Sequence, residues 1–352
     1  MQRGYGIGFV GWGRAAENLH LPALTRVAGL RVVAAMDTDP ARLESASRLV
    51  PSLSVHHDVG GLLADPRVDV VAVCVPPAHH AAAAVAALGA GRHVYLEKPV
   101  AAGWDDGIAI AEAARRSSGT VVVGHNLRSH RLVREARAIV GSGALGRIGT
   151  LRAAWTSGYH RGGAWPAWRD DRAAGGGAIL EIGVHHLDLC SYILGEPLES
   201  VSALLRDGAV PDQDAVVTGR TASGVLVSLL AGQRTVDANE VEIYGEEGAL
   251  GFSLYRADSL ELRRTSDLGG GPKARARLLA GRARRLPAAL AAARGGGDFV
   301  GSYAAHWRST GEALRGGAPP PATLDDGLAA LAAALAAMRS AETGVPERVA
   351  SR

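Results

Sequence analysis

The chain has 352 residues, 47% of them hydrophobic and 21% charged, with a net charge of +3. That length exceeds one usual core, so two globular domains are the natural reading. The small positive balance argues against a nucleic-acid partner: seven Lys and Arg with no acid fall between Lys273 and Arg294, and so local a run reads as a solvated insertion rather than a binding patch.

Cys74 and Cys190 are the only cysteines; they form neither a disulfide framework nor a zinc spacing and suit a reducing compartment. A strand-like run begins almost at once, with no signal peptide ahead of it. The longest apolar stretch, "GLAALAAALAAM", is too short to span a bilayer. A cytoplasmic protein with no membrane partner is expected.

From the N-terminus, "YGIGFV" reads as a strand, followed by glycines and a helical segment through Leu24. "RVVAAM" is a second strand closed by Asp37, and "PARLESASRLV" a helix begun at a proline. "VDVVAVCV" is a buried strand before an Ala-rich helix over 78–89. "HVYLEKPV" and "TVVVGHN" supply two more strands around a helix at 104–116. This alternation predicts a doubly wound parallel sheet covered on both faces, ending near residue 124.

Beyond that point "GRIGTLRAAWTSG", "LESVSALLR", "DAVVTGRTASG", "VLVSLLAG", "NEVEIYGEEG" and "ALGFSLY" read as successive strands with tight turns. A second α/β domain over 125–352 with an open, mostly antiparallel sheet follows. The region 266–297 is expected to be irregular or loosely helical, and helices at 299–314 and 325–341 close the chain. An exposed antiparallel sheet would need covering, so self-association is expected.

Four motifs carry chemistry. Gly11-Trp12-Gly13-Arg14-Ala15-Ala16 is a G-x-G-x-x-A at the end of the first strand. Gly11 permits the tight turn, Gly13 lets a pyrophosphate approach the backbone, and Ala16 allows close helix packing, while the helix N-terminus faces the phosphates. Asp37 can accept hydrogen bonds from an adenosine ribose and would repel a 2′-phosphate, which favours NAD over NADP; the competing role is a helix cap near Pro40. Glu97, Lys98 and Pro99 follow directly on a strand, at the edge where doubly wound sheets bind ligands.

The fourth motif is "GGGAILEIGVHHLDL". If 178–194 is helical, Glu181, His185 and Asp188 are spaced i, i+4, i+7 on one face and His186 points elsewhere. One histidine and two carboxylates make a poor zinc site, and no metal is expected. They suit proton handling, because histidine titrates in the right range and a carboxylate can fix its tautomer.

Taken together, the glycine motif, "CVPPAHH", "HVYLEKPV" and "GGGAILEIGVHHLDL" resemble the glucose–fructose oxidoreductase/inositol dehydrogenase/rhizopine catabolism (Gfo/Idh/MocA) family, in family order over nearly the whole chain. The resemblance implies a Rossmann domain followed by an α/β domain whose sheet builds homodimers or homotetramers, and a cis Lys98–Pro99 bond. It implies that Pro76 and His80 lie near the nicotinamide ribose, with Glu97 and Lys98 beside the nicotinamide. It also places Trp168 and Arg169 near cofactor or substrate, and Asn126 and Arg128 where substrate contacts occur. Members usually carry Asp where this chain has Glu181; an extra methylene moves the carboxylate by roughly a carbon–carbon bond, enough to alter substrate fit.

The expected activity is NAD-dependent hydride transfer on a secondary alcohol or ketone of a cyclic polyol, sugar or sugar derivative. His185 would act as general base or acid and Lys98 would polarise the reacting oxygen. Glu181 and Asp188 would hold substrate hydroxyls or the imidazole. The alternatives are a redox-neutral NAD-using lyase or glycosidase, and a non-catalytic NAD-binding sensor of the same fold.

Overall fold

The computed structural model describes residues 4–158, 166–265 and 271–350. The chain divides into two compact units. The first holds Met1–Asn126 with Ala173–Gly175 and Tyr303–Leu331; the second holds Leu127–Arg172, Gly176–Ser302 and Ala332–Arg352.

The first unit is built on β1 (Tyr5–Val10), β2 (Leu30–Met36), β3 (Ser54–His56), β4 (Val70–Val73), β5 (His93–Leu96) and β6 (Val121–Val123). They form one parallel sheet in the order β3-β2-β1-β4-β5-β6. The strands are short apolar runs buried on both sides, as Phe9, Ala35, Val71, Leu96 and Val123 show, which is what a sheet covered on two faces requires. The order reverses between β1 and β4, the place where doubly wound sheets open a crevice.

The helical segment after β1 is a π-turn at Ala16–His20 running into α1 (Leu21–Leu24). Next come α2 (Pro40–Leu49), α3 (Val59–Ala64), α4 (His80–Gly89) and α5 (Trp104–Arg116). α2 begins on Asp39, whose side chain accepts from the Ala41 amide. The cap near Pro40 is therefore Asp39, and Asp37 is left for other work.

The second unit opens with α6 (Arg131–Gly141) and β7 (Ile148–Thr156), then α7 (Val184–Leu194), β8 (Leu198–Arg206), β9 (Asp214–Thr221), β10 (Leu226–Gly232), β11 (Ala238–Gly245), β12 (Gly248–Ser253) and β13 (Glu261–Arg264). With the short β14 (Glu347–Arg348) they order as β13-β12-β11-β7-β10-β9-β8-β14. Pairing is antiparallel except between β7 and β10, which run parallel. α7 packs on β7 and β10 and buries Leu187 and Leu189. Elsewhere on the sheet Leu230, Val216 and Leu204 pair in register across β10, β9 and β8 and are 43%, 45% and 78% exposed.

Of the irregular or loosely helical structure expected for the basic segment, the helical alternative holds, more regularly than expected. Residues 272–294 form one helix, α8 (Pro272–Arg294), with Pro287 inside it; residues 266–270 lie outside the described residues. The helix is rich in Ala and Leu, strong formers that outweigh one proline's penalty. Arg282 pairs with Glu261 and Arg285 with Glu135, so acids from elsewhere in the unit answer part of the run. α9 (Gly297–Leu314) and α10 (Leu324–Thr343) follow. Among the described residues no helix is long and apolar enough to cross a membrane.

Candidate functional site

In the first unit the glycine turn is held by two constraints. Gly11 sits at φ +91°, and a Cβ there would meet the Cys74 backbone at 2.9 Å; only glycine fits so close an approach in the left-handed region. The Trp12 amide donates to Asp37 Oδ2 at 2.8 Å, and Asp37 Oδ1 accepts from the Asp39 amide at 3.0 Å. Each carboxylate oxygen can accept more than once, so Asp37 can still receive a ribose hydroxyl. The Trp12 ring is buried edge-on to Phe9, with centroids 5.4 Å apart, and Trp12 contributes to the turn through its backbone.

Gly13 differs from Gly11: a Cβ there would meet only the Arg42 guanidinium, at 3.8 Å. Arg14 beside it is exposed, and Ala16 is fully buried where the helix begins. Open space above Gly13, a buried small residue at 16 and a carboxylate past β2 are what a dinucleotide's pyrophosphate and ribose need. These residues fit NAD.

The Lys98–Pro99 bond is cis. His80 is buried, with Nδ1 2.9 Å from the Pro99 carbonyl and Nε2 2.9 Å from the Val75 carbonyl. It ties the loop carrying Pro76 to the Lys98–Pro99 corner. Burial pushes its imidazolium down, and the backbone carbonyls oppose that. Glu97 is largely buried, its side chain 14% exposed, and its Oε1 lies 3.0 Å from His20 Nε2. His20 Nδ1 in turn accepts the indole N–H of Trp307 at 3.0 Å. Burial alone would push the Glu97 carboxyl up; the His20 hydrogen bond, with the charge His20 would add if protonated and the Lys98 charge, outweighs it and holds the group below the usual carboxylate range.

In the second unit the motif at 175–194 is not one regular helix. Ile179–Gly183 is a π-turn, closed by the Val184 amide donating to Ile179, and α7 follows. Within this motif the two carboxylates have partners of their own. Glu181 Oε1 pairs with Arg169 at 2.7 Å and its Oε2 accepts from Gln233 at 2.7 Å. The Arg169 guanidinium lies over the Trp168 ring, 5.2 Å from its centroid. Asp188 is clamped by Arg128 through Nε and Nη2 at 2.6 to 3.0 Å, and that guanidinium lies 4.9 Å from the Tyr192 ring centre. Two residues expected to contact substrate therefore bind each other.

His185 is 5% exposed and lies against Trp155, centroids 5.0 Å apart. His186 meets the same indole at 5.6 Å, is fully buried and is pushed by burial down to about 4, with Asn239 opposing. His186 is a neutral core residue. The motif's start is fixed at Gly177, φ +93°, where a Cβ would strike the Asp212 carboxylate at 2.7 Å; Asp212 itself pairs with Arg172. Asn126 is buried in the first unit, its amide on the Gly124 carbonyl. Among the described residues no cluster of three or more His, Cys, Asp or Glu is arranged to hold a metal.

Sequence reasoning missed His20, Trp307, Gln233 and Trp155. None belongs to a local motif; the nearest signal was a histidine preceding "LPAL" in a segment otherwise fit for helix.

An oxidoreductase family model with an NAD-binding Rossmann fold matches residues 5–125, and the Gfo/Idh/MocA C-terminal domain matches residues 133–251. The 1-carboxy-3-chloro-3,4-dihydroxycyclohexa-1,5-diene dehydrogenase of Comamonas testosteroni is 32% identical over 200 residues, 56% of this chain and 50% of that one. The alignment thus spans half of that relative's length. Inositol 2-dehydrogenase 2 of Saccharopolyspora erythraea is 31% identical over 277 residues, covering 76% of this chain and 78% of that one. The WlbA dehydrogenase of Bordetella pertussis, crystallised with NADH and UDP-GlcNAcA, shares the fold with a TM-score of 0.84 at 23% identity, over 100% of this chain and 99% of that one. The fold and the matched models define an NAD-binding oxidoreductase. The chain belongs to the Gfo/Idh/MocA family.

Two outcomes follow. Gly13→Val, which meets open space, leaves thermal stability nearly unchanged while raising the Kd for NAD by about tenfold or more in a fluorescence titration. Arg128→Ala strands the buried Asp188 carboxylate and costs about 3–5 kcal/mol in denaturant unfolding, part of which returns in the Arg128→Ala/Asp188→Ala double variant.

Proposed function

We propose that the protein is an NAD-dependent dehydrogenase or ketoreductase acting on a secondary alcohol or ketone of a cyclic polyol, sugar or sugar derivative. The observation that carries this reading is the placement of Lys98. It stands one residue past a largely buried, ionised Glu97, at the same sheet edge as the Gly11 turn and Asp37. An ammonium there serves to stabilise the oxygen of an alcohol as it loses its proton. Bound NAD supplies the hydride acceptor.

His185 is the proton acceptor in this proposal. An imidazole held against Trp155 can exchange one proton with a substrate hydroxyl. Glu181 and Asp188, already paired with Arg169 and Arg128, shape the surroundings as fixed dipoles with hydrogen-bonding edges. Such charged and amide groups match a polyhydroxylated substrate better than an apolar one. The printed names of the relatives, inositol and sugar dehydrogenases among them, support the class and leave the individual sugar open.

Self-association through the second unit's sheet belongs to the same proposal. The exposed row Leu204, Val216 and Leu230 is the kind of contiguous apolar surface that a second copy covers. Leu230→Asp is expected to shift the oligomer toward monomer in sedimentation velocity; an unchanged oligomer would remove the sheet from the interface.

With whichever polyol the wild type oxidises, Lys98→Met and His185→Gln each lower kcat/KM by about 100-fold or more, with NAD affinity nearly unchanged. Turnover that survives both substitutions would contradict the assigned roles.

A further inference from the structure

The contact between His20 and Glu97 is directional in a way that the distances alone settle. The indole N–H of Trp307 can only donate, and it points at His20 Nδ1 from 3.0 Å. Nδ1 must therefore present a lone pair, and the ring hydrogen sits on Nε2, 3.0 Å from Glu97 Oε1. A doubly protonated ring would set a second N–H against the indole N–H. His20 is accordingly a neutral donor. It gives Glu97 a hydrogen bond without cancelling the carboxylate's charge.

The rings around this chain leave little freedom. Trp307 stacks on Tyr95 with centroids 4.0 Å apart and planes 18° apart. His20 meets Tyr95, Tyr303 and Trp307 edge-on at 5.3 to 5.8 Å, and both His20 and Trp307 are fully buried.

The titratable groups facing Glu97 come from several elements. They are Cys74 past β4, His80 on α4, Tyr95 on β5, Tyr303 and His306 on α9, and Lys98 next in the chain. Burial pushes Cys74, Tyr95 and Tyr303 up and His80 and His306 down, so these five are neutral near pH 7. Of the groups named, Lys98 is the one that carries charge.

We propose that His20, held in a single tautomer by Trp307, is a positioning residue that keeps Glu97 an uncompensated carboxylate for Lys98. The consequence for the reaction rests on the role given to Lys98 above; the tautomer itself does not. Without the His20 donor, a largely buried Glu97 becomes easier to protonate, and the negative charge beside Lys98 is lost as pH falls.

Two measurements test this. In protein labelled with [15N]histidine, long-range proton–nitrogen spectra at neutral pH should show His20, assigned by the peak missing from His20→Leu or His20→Gln, as the neutral Nε2–H tautomer. A resonance from the Nδ1–H form, or from imidazolium at neutral pH, would overturn the proposal whether or not any substrate is found. In turnover, His20→Leu should move the acid limb of kcat/KM to higher pH by about one unit or more, the expected effect of losing a hydrogen bond to a buried charge.

His20→Gln, whose amide can donate and accept at once, should restore the limb. Trp307→Phe keeps the stacking but drops the N–H, so His20 can take up a proton and cancel the charge; its limb should move the same way as in His20→Leu. In a Glu97→Gln background, adding His20→Leu should shift nothing further. Equal loss of activity at every pH, with the limb unmoved in all variants, would mean that His20 only fills space. A wild type that binds NAD and turns over no polyol would instead remove the proposed function while leaving the tautomer result standing.

Discussion

The parallel register of the first sheet is the constraint on which the rest depends. Val10 pairs with Met36 and with Val73, and Val73 pairs with Leu96. Gly11, Asp37, Cys74 and Glu97 therefore all stand one residue past the same edge. No one of them makes a nucleotide site alone. Brought level by strand pairing, they put a left-handed turn, the Asp37 carboxylate and a lysine-bearing corner side by side. The backbone hydrogen bonds that fix the register are thus the same ones that assemble the chemistry, and the contacts between loops add detail to it. The Trp12 amide reaches Asp37 because both lie just beyond paired residues, and His80 ties the loop after β4 to the corner after β5.

Among the described residues, three carboxylates that lose most of their solvent are each answered. Glu97 has the His20 hydrogen bond, Asp188 a two-pronged Arg128 clamp, and Glu181 both Arg169 and Gln233. In a low-dielectric interior an unanswered carboxylate would take up a proton. The three arrangements differ in consequence. Arg128 neutralises Asp188 outright, which suits a structural strut. A neutral donor on Glu97 leaves its charge in force, which suits a group meant to act on its neighbour. That the family's usual Asp is Glu181 here becomes intelligible from its partners, since the longer side chain is shared between Arg169 and Gln233.

Much of this was legible in the sequence. The apolar runs and their spacing located five of the six strands of the first sheet and six strands of the second, and the glycine motif, Asp37 and the Glu97-Lys98-Pro99 corner marked one sheet edge. What stayed hidden has physical causes. β3, β13 and β14 are short and mostly polar, reading Ser-Val-His, Glu-Leu-Arg-Arg and Glu-Arg, so no apolar run marks them. The π-turns at 16–20 and 179–183 have no composition of their own, so each reads from sequence as plain helix. The partners of the buried carboxylates come from far along the chain: Trp307 is 287 residues from His20, and Arg128 is 60 from Asp188. For α8 the sequence left irregular and loosely helical structure both open, because charge and glycine suggested the first while alanine and leucine set the second.

The account stands on net hydride transfer from a carbinol carbon, and stoichiometry reads it most directly. Wild-type protein is incubated with NAD and a panel of inositols, hexoses and sugar derivatives, each unlabelled and deuterated at the ring carbinols, while NADH absorbance and ketone product are followed together. The account predicts one NADH per ketone formed and a slower rate with deuterium at the oxidised carbon. Product released with no net NADH would contradict it.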